Sequence, residues 1–108
     1  MKKFNSSLLS KVSLNKAKIT YDDFDIDPTL TFESQKFSFK EDILQLEIGD
    51  NYVIDVGYYP EFNPKGFFLV RVIKDIEWDS PVFKKKFRNV KFLPKYLQEA
   101  IDFISQAE

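Results

Sequence analysis

The groups in this chain that could do chemistry are almost all carboxylates. Asp55, Glu61, Glu77 and Asp79 are the pool from which a pair could be drawn for glycoside hydrolysis. Asp55 also stands alone inside an apolar stretch, Tyr52 to Tyr59, where burial could shift its pKa toward general acid or base work. The chain gives it no partners for that role. There is no His and no Cys, which removes Ser-His-Asp and Cys-His catalysis, thiolate nucleophiles, disulfides and the common zinc and iron–sulfur sites together. A sugar-cleaving pair also needs a deep cleft, and 108 residues leave little chain for one once two core layers are built. Asp55 is therefore expected to be a scaffold residue that accepts hydrogen bonds from backbone or Tyr hydroxyls, or pairs with Arg71 across a hairpin. On that basis Asp55→Asn should weaken folding more than binding. The chain is not expected to be an enzyme or to hold a cofactor.

Three other stretches carry charge or aromatic rings in a pattern. "YDDFDIDP" places Asp22, Asp23, Asp25 and Asp27 within six positions. Such a run can be a solvated loop that repels itself into extension, or an acidic docking face that steers a basic partner. As a cation site it lacks the spaced Asp/Asn residues, Gly and terminal Glu of a calcium loop, so no metal is expected. "KKKFRNVK" interleaves Lys84, Lys85, Lys86, Arg88 and Lys91 with Phe, the pattern of a phosphate-contacting stripe with stacking positions. Against it, a pI near 5.5 lacks the basic footprint of a nucleic-acid domain, and alternate Phe fit a strand with one face in the core. "GYYPEF" and "IEWDSP" put Tyr58, Tyr59, Phe62 and Trp78 at strand ends and loops. There they either recognise a partner or plug the ends of the core.

The elements that must position these groups follow from hydrophobic period. Phe37 and Phe39 alternate with Ser38 and Lys40, and Leu44, Leu46 and Ile48 with Gln45 and Glu47, each run having one apolar face. Gly49-Asp50-Asn51 reads as a hairpin loop, because these residues tolerate positive φ, and the next strand is Tyr52 to Tyr58. Asn63, Pro64 and Gly66 suit the first, second and fourth positions of a type I turn leading into the strand Phe67 to Lys74. Tyr52, Ile54, Val56 and Tyr58 oppose Val53 and Tyr59, while Phe68, Val70 and Val72 oppose Phe67, Leu69 and Ile73. A sheet apolar on both sides must be covered on both sides or bind something.

One cover is evident in "LPKYLQEAIDFISQ", where Leu97, Ala100, Ile101 and Ile104 recur at helical spacing and Pro94 suits a first turn. The first forty residues are expected to help cover the other face. Within them Leu8, Leu9, Val12 and Leu14 fit a short helix or an irregular strand equally. The prediction is one α+β domain over residues 1–108: a mainly antiparallel meander of four to six strands with a C-terminal helix on one face. The longest apolar run near the N-terminus is Leu8-Leu9, well short of the ~7–15 residues of a signal segment or the ~20 of a membrane helix. An intracellular, cytoplasmic protein with no membrane contact is expected.

Taken in order, Lys40-Glu41-Asp42, Leu44-Gln45, Asp55 to Glu61, Gly66-Phe67, Trp78 with Pro81 and the helix from about Pro94 form a pattern. It resembles a family of small bacterial immunity proteins from polymorphic toxin and contact-dependent growth-inhibition systems. The resemblance is strongest over residues 37–106 and departs at Tyr58, where the family pattern leads one to expect Trp. It implies an antitoxin that binds the C-terminal toxin domain of its cognate system one to one, often a nuclease, and blocks its active site or substrate groove. Exposure and charge then nominate Asp22, Asp23, Asp25, Asp27, Tyr58, Tyr59, Glu61, Trp78 and Asp79 as toxin-binding residues. The alternative is a small nucleic-acid-binding or regulatory module using the stripe at 84–91, although direct nucleic-acid contact is not what the immunity reading expects.

Overall fold

Two tight reversals set the centre of the sheet. The computed structural model describes residues 3–107 and contains strands β1 (Lys18–Asp22), β2 (Leu44–Ile48), β3 (Tyr52–Tyr59), β4 (Phe67–Lys74) and β5 (Phe83–Phe87), then helix α1 (Leu93–Ala107). Between β2 and β3 the chain turns at Gly49, whose φ of 62° costs glycine nothing and would strain a side-chain-bearing residue. Between β3 and β4 the Gly66 N–H donates to the Asn63 carbonyl at 3.0 Å, while Asn63 Oδ1 accepts from the Lys65 N–H at 2.8 Å. Those reversals leave β3 and β4 paired over eight residues, from Tyr52 opposite Lys74 to Tyr59 opposite Phe67. The full sheet is an antiparallel meander in the order β1-β2-β3-β4-β5, with a bulge in β1 between Ile19 and Tyr21. Five antiparallel strands and a C-terminal helix are the α+β architecture that the periodicity predicts.

Helix α1 buries one stripe, Leu93, Leu97, Ala100, Ile101 and Ile104, against the face carrying Leu46, Ile54, Val56, Phe68, Val70 and Val72. Complete burial of each large aliphatic side chain stabilises the fold by about 2 kcal/mol. Phe83 lies 5.4 Å from Phe103 and Phe87 5.0 Å from Tyr96, centroid to centroid, so β5 is clamped to the helix by aromatic contacts.

Two expectations about the first forty residues are corrected. Phe37 and Phe39 do not lie on a strand: Glu33–Ser38 forms 3-10 turns, leaving Phe37 69% exposed while Phe39 enters the core. Phe39 meets Phe32 at 4.6 Å, Tyr58 at 5.0 Å and Phe68 at 5.8 Å, so a tertiary slot captures one ring. The N-terminal segment also does not cover the second face. Leu9, Ile19, Phe24 and Ile26 join the same cluster that receives α1. Its hold on the helix is direct, because the Ser13 N–H donates to Gln98 Oε1 at 2.7 Å and Gln98 Nε2 donates back to the Ser13 carbonyl at 3.2 Å. The thinnest dimension, 19 Å, accommodates two layers and no third.

Candidate functional site

The uncovered face of the sheet is organised by strand register. Tyr21, Gln45, Asp55, Arg71 and Lys84 lie abreast across all five strands. On one side of this row stand Lys18, Glu47, Val53 and Ile73; on the other stand Gly57, Leu69 and Lys86, and beyond them Tyr59 and Phe67. Val53, Tyr59, Phe67 and Leu69 are half-buried and belong to no cluster with α1, while Ile73 is fully buried outside the main core. The expectation of a sheet that is apolar on both faces holds here, and this chain covers one of them fully and the other only in part, at Ile73 and Gly57.

Asp55 sits at the middle of the open face and is 7% exposed. Arg71 Nη2 and Nε both donate to its Oδ2, at 2.6 and 3.2 Å, which is the cross-hairpin pair the sequence suggests. Among the described residues no group bonds Oδ1. Burial pushes the Asp55 carboxyl above the ordinary aspartate value, with the nearby Asp42 charge adding to it and Arg71 pulling the other way. Arg71 in turn lies over the Tyr59 ring at 5.9 Å, and Lys86 over Phe67 at 4.0 Å.

A short bulge shapes the neighbourhood of Asp55. The Ile43 N–H donates to the Val56 carbonyl at 3.1 Å and the Tyr58 N–H to the Lys40 carbonyl at 2.9 Å, so Glu41 and Asp42 are looped out between two anchored bonds. The loop passes over Gly57, where a Cβ would overlap the Glu41 carbonyl oxygen. Tyr59 holds it from the other side, its hydroxyl donating to the Glu41 carbonyl at 3.3 Å. Beside the bulge lies a recess of about 460 Å³ lined by Thr20, Tyr21, Asp42, Gln45, Glu47 and Asp55.

The nominated residues do not form one site. Tyr58 is corrected outright: it is 3% exposed, turned into the core beside Phe39 and Phe68, and its hydroxyl donates to the Asn63 carbonyl at 2.6 Å. The residue parity that places Tyr59 on the open face places Tyr58 beneath it. Asp22 is half-buried and structural, its carboxylate accepting from the Asn5 and Phe24 N–H groups. Asp23 pairs with Lys40 and accepts from the Tyr21 hydroxyl, and Asp27 accepts from Thr29 through both N–H and Oγ1; these bonds hold both carboxyls below the ordinary range. Asp25 is exposed. The segment is thus extended and tied down, with Phe24 and Ile26 inward between outward aspartates, rather than a self-repelling loop.

Glu61, Trp78 and Asp79 are exposed but divided. Glu61 follows β3, at the end of the sheet near Tyr59, while Trp78 and Asp79 follow β4, at the opposite end. Eight residues at ~3.3 Å each put roughly 25 Å between those ends. The loop bearing Trp78 turns through Asp75 and Ile76, both with φ 55°, and Ile76 is 81% exposed. A β-branched residue in the left-handed region is under real strain.

In the basic stripe, Phe83 and Phe87 face α1 and are lost to base stacking, while Lys84 and Lys86 rise on the open face. Among the described residues no three acidic groups converge as a metal site, and no helix is long and apolar enough to cross a membrane. Sequence reasoning passed over Thr20, Tyr21, Asp42, Gln45 and Glu47 as a group. Gln45 and Glu47 carried a signal, since they alternate with the buried Leu44, Leu46 and Ile48. This chain matches no family model, no curated protein and no solved structure.

Proposed function

We propose that this chain is an immunity protein: a cytoplasmic antitoxin that binds a cognate toxin domain one to one, a nuclease foremost, and obstructs its active site or substrate groove. The observation that carries the reading is the open face, a sheet surface with half-buried Val53, Tyr59, Phe67 and Leu69 around the Asp55–Arg71 pair, which no helix covers and only the Glu41-Asp42 bulge overlies. Five strands at ~4.8 Å spacing and up to eight residues at ~3.3 Å give it about 600 Å². With its flanking loops that approaches the ~800 Å² each partner contributes to a stable complex. Aromatic side chains with an ion pair among them are the composition of a protein-binding patch. Several residues that carry the family resemblance, Glu41, Asp42, Gln45, Asp55, Gly57 and Tyr59, meet on this one face although they are spread over nineteen positions of the chain.

The test is co-expression with the toxin-like C-terminal region encoded immediately upstream of the gene, scoring growth and co-purification together. Growth rescue with a one-to-one complex is expected. A toxic partner that is neither neutralised nor bound overturns the reading. Retention of this protein on a nucleic-acid column, abolished by neutralising Lys84, Lys85 and Lys86, would then carry the stripe reading in its place.

A further inference from the structure

We propose that the open face of the sheet is also a self-association surface: without another partner, a second copy of this chain packs on it about a two-fold axis parallel to β3. The inference goes beyond the immunity reading, in which a toxin would displace that second copy. What carries it is the division of charge across the face. On the β1–β2 half stand Glu47 and, in the bulge, Glu41 and Asp42, against Lys18 alone. The bulge acids belong to this face, because the charges of both act on the Tyr59 hydroxyl. The β4–β5 half carries Lys84 and Lys86, and neither strand contains an acid. Between the halves Asp55 and Arg71 neutralise each other.

The halves cannot satisfy one another within one chain. Strands β2 and β5 are three spacings apart, ~14 Å. Among the described residues Glu41, Asp42, Glu47, Lys84 and Lys86 make no ion pair. A two-fold axis in the plane of the face and parallel to β3 lays the β1–β2 half of each copy over the β4–β5 half of the other, so each match of acid with base is made twice. An axis across the strands would set acid over acid. The parallel axis also keeps every residue at its own level along the strands. The raised Glu41-Asp42 bulge then settles over Leu69 and Lys86 of the second copy, which share the level of Gly57, and Glu47 lies two residues along the strand from the level of Lys84. Strand β3 meets its own counterpart, so the half-buried Val53 and Tyr59 pack at the centre with the sheets aligned. Two faces of about 600 Å² bury about 1,200 Å² together, the lower end of what a specific dimer needs, which sets the dissociation constant in the micromolar range.

Sedimentation equilibrium of the purified chain alone tests this. The apparent mass is expected to rise from the monomer's 12.8 kDa to twice that value across micromolar concentrations, and to fall back as salt is added. Asp42→Lys/Glu47→Lys makes both halves of the face basic, and Lys84→Glu/Lys86→Glu makes both acidic. Each variant alone should self-associate at least about tenfold more weakly than wild type, whereas an equimolar mixture of the two should form a mixed dimer as tight as the wild-type one. All four positions are exposed, and thermal unfolding of each variant checks that it is folded. A wild-type chain that stays monomeric overturns the proposal, and so does a dimer indifferent to salt. A dimer that neither variant weakens also overturns it and moves association to the β1 or β5 edge; two weakened variants that fail to pair with each other overturn it as well. A monomeric chain that still rescues growth against its toxin overturns the dimer and leaves immunity standing. A dimer whose chain neutralises no toxin overturns immunity and leaves the dimer standing.

Discussion

Gly57→Ala should be the most damaging small substitution on the open face. The added methyl would overlap the Glu41 carbonyl oxygen and stand 2.9 Å from Tyr59 Cε2 and 3.0 Å from the Glu41 carbonyl carbon. The oxygen is main chain and cannot rotate away. It is tethered on both sides, by Ile43 N–H to Val56 at 3.1 Å and by Tyr58 N–H to Lys40 at 2.9 Å, so relief requires lifting the bulge and weakening one of these bonds. Overpacking of this kind costs about 1–3 kcal/mol, and a lost backbone hydrogen bond about 1 more. The stiffer unfolded chain returns roughly 0.5 kcal/mol. The net is a loss of about 2.5 kcal/mol, or a fall in melting temperature of roughly 10 °C for a domain of this size. Urea and thermal unfolding followed by circular dichroism measure it. Gly49→Ala is the comparator, since it strains only φ and should cost about 1 kcal/mol. If Gly57→Ala costs no more than Gly49→Ala, the bulge does not press on β3 as described.

Three further outcomes are expected. Because burial raises the Asp55 pKa in the folded chain, its contribution to stability is fully present below the unfolded-chain value and is lost as pH rises through the folded value. Arg71 on β4, Asp42 on the bulge and Gln45 on β2 face this carboxyl, and Asp55→Asn removes the titration, so the wild-type advantage over the variant should shrink over the window in which pH rises through and above the ordinary aspartate range. An advantage that grows over this window would show that the Arg71 pair outweighs desolvation. Ile76→Asn should stabilise the protein by about 1 kcal/mol, since Asn tolerates the left-handed region and Ile76 buries almost nothing; a lower melting temperature would refute the strain. Tyr58→Phe should destabilise by about 1 kcal/mol through the lost hydroxyl bond to the Asn63 carbonyl, which keeps only the Gly66 N–H, and leave partner affinity unchanged; an affinity loss in a folded variant would return Tyr58 to the interface.

What was legible in the sequence was local. Period two with Gly-Asp-Asn and Asn-Pro-Lys-Gly punctuation specified β2, β3 and β4 and their hairpins, and period 3.6 specified the buried stripe of α1. Asp55 opposite Arg71 followed from the same register once the turn lengths were known. The pattern also separated Tyr58 from Tyr59, but both were nominated as exposed because they end a strand. Burial of Tyr58 comes from Phe39 and Phe68, which are distant in the chain.

The tertiary structure decided which face would be covered. Hydrophobic alternation shows that a sheet has two apolar faces, but it is silent on where a segment without period will dock. The first forty residues went to the helix side, because Leu9, Phe24, Ile26 and Phe39 gain more by completing one deep core than by opening a second shallow one. That choice left Asp55, Tyr59 and Leu69 facing outward. The recess is likewise a product of contact across the chain: Asp42 reaches Asp55 only because a backbone carbonyl can approach Gly57, and no spacing along the sequence encodes that approach.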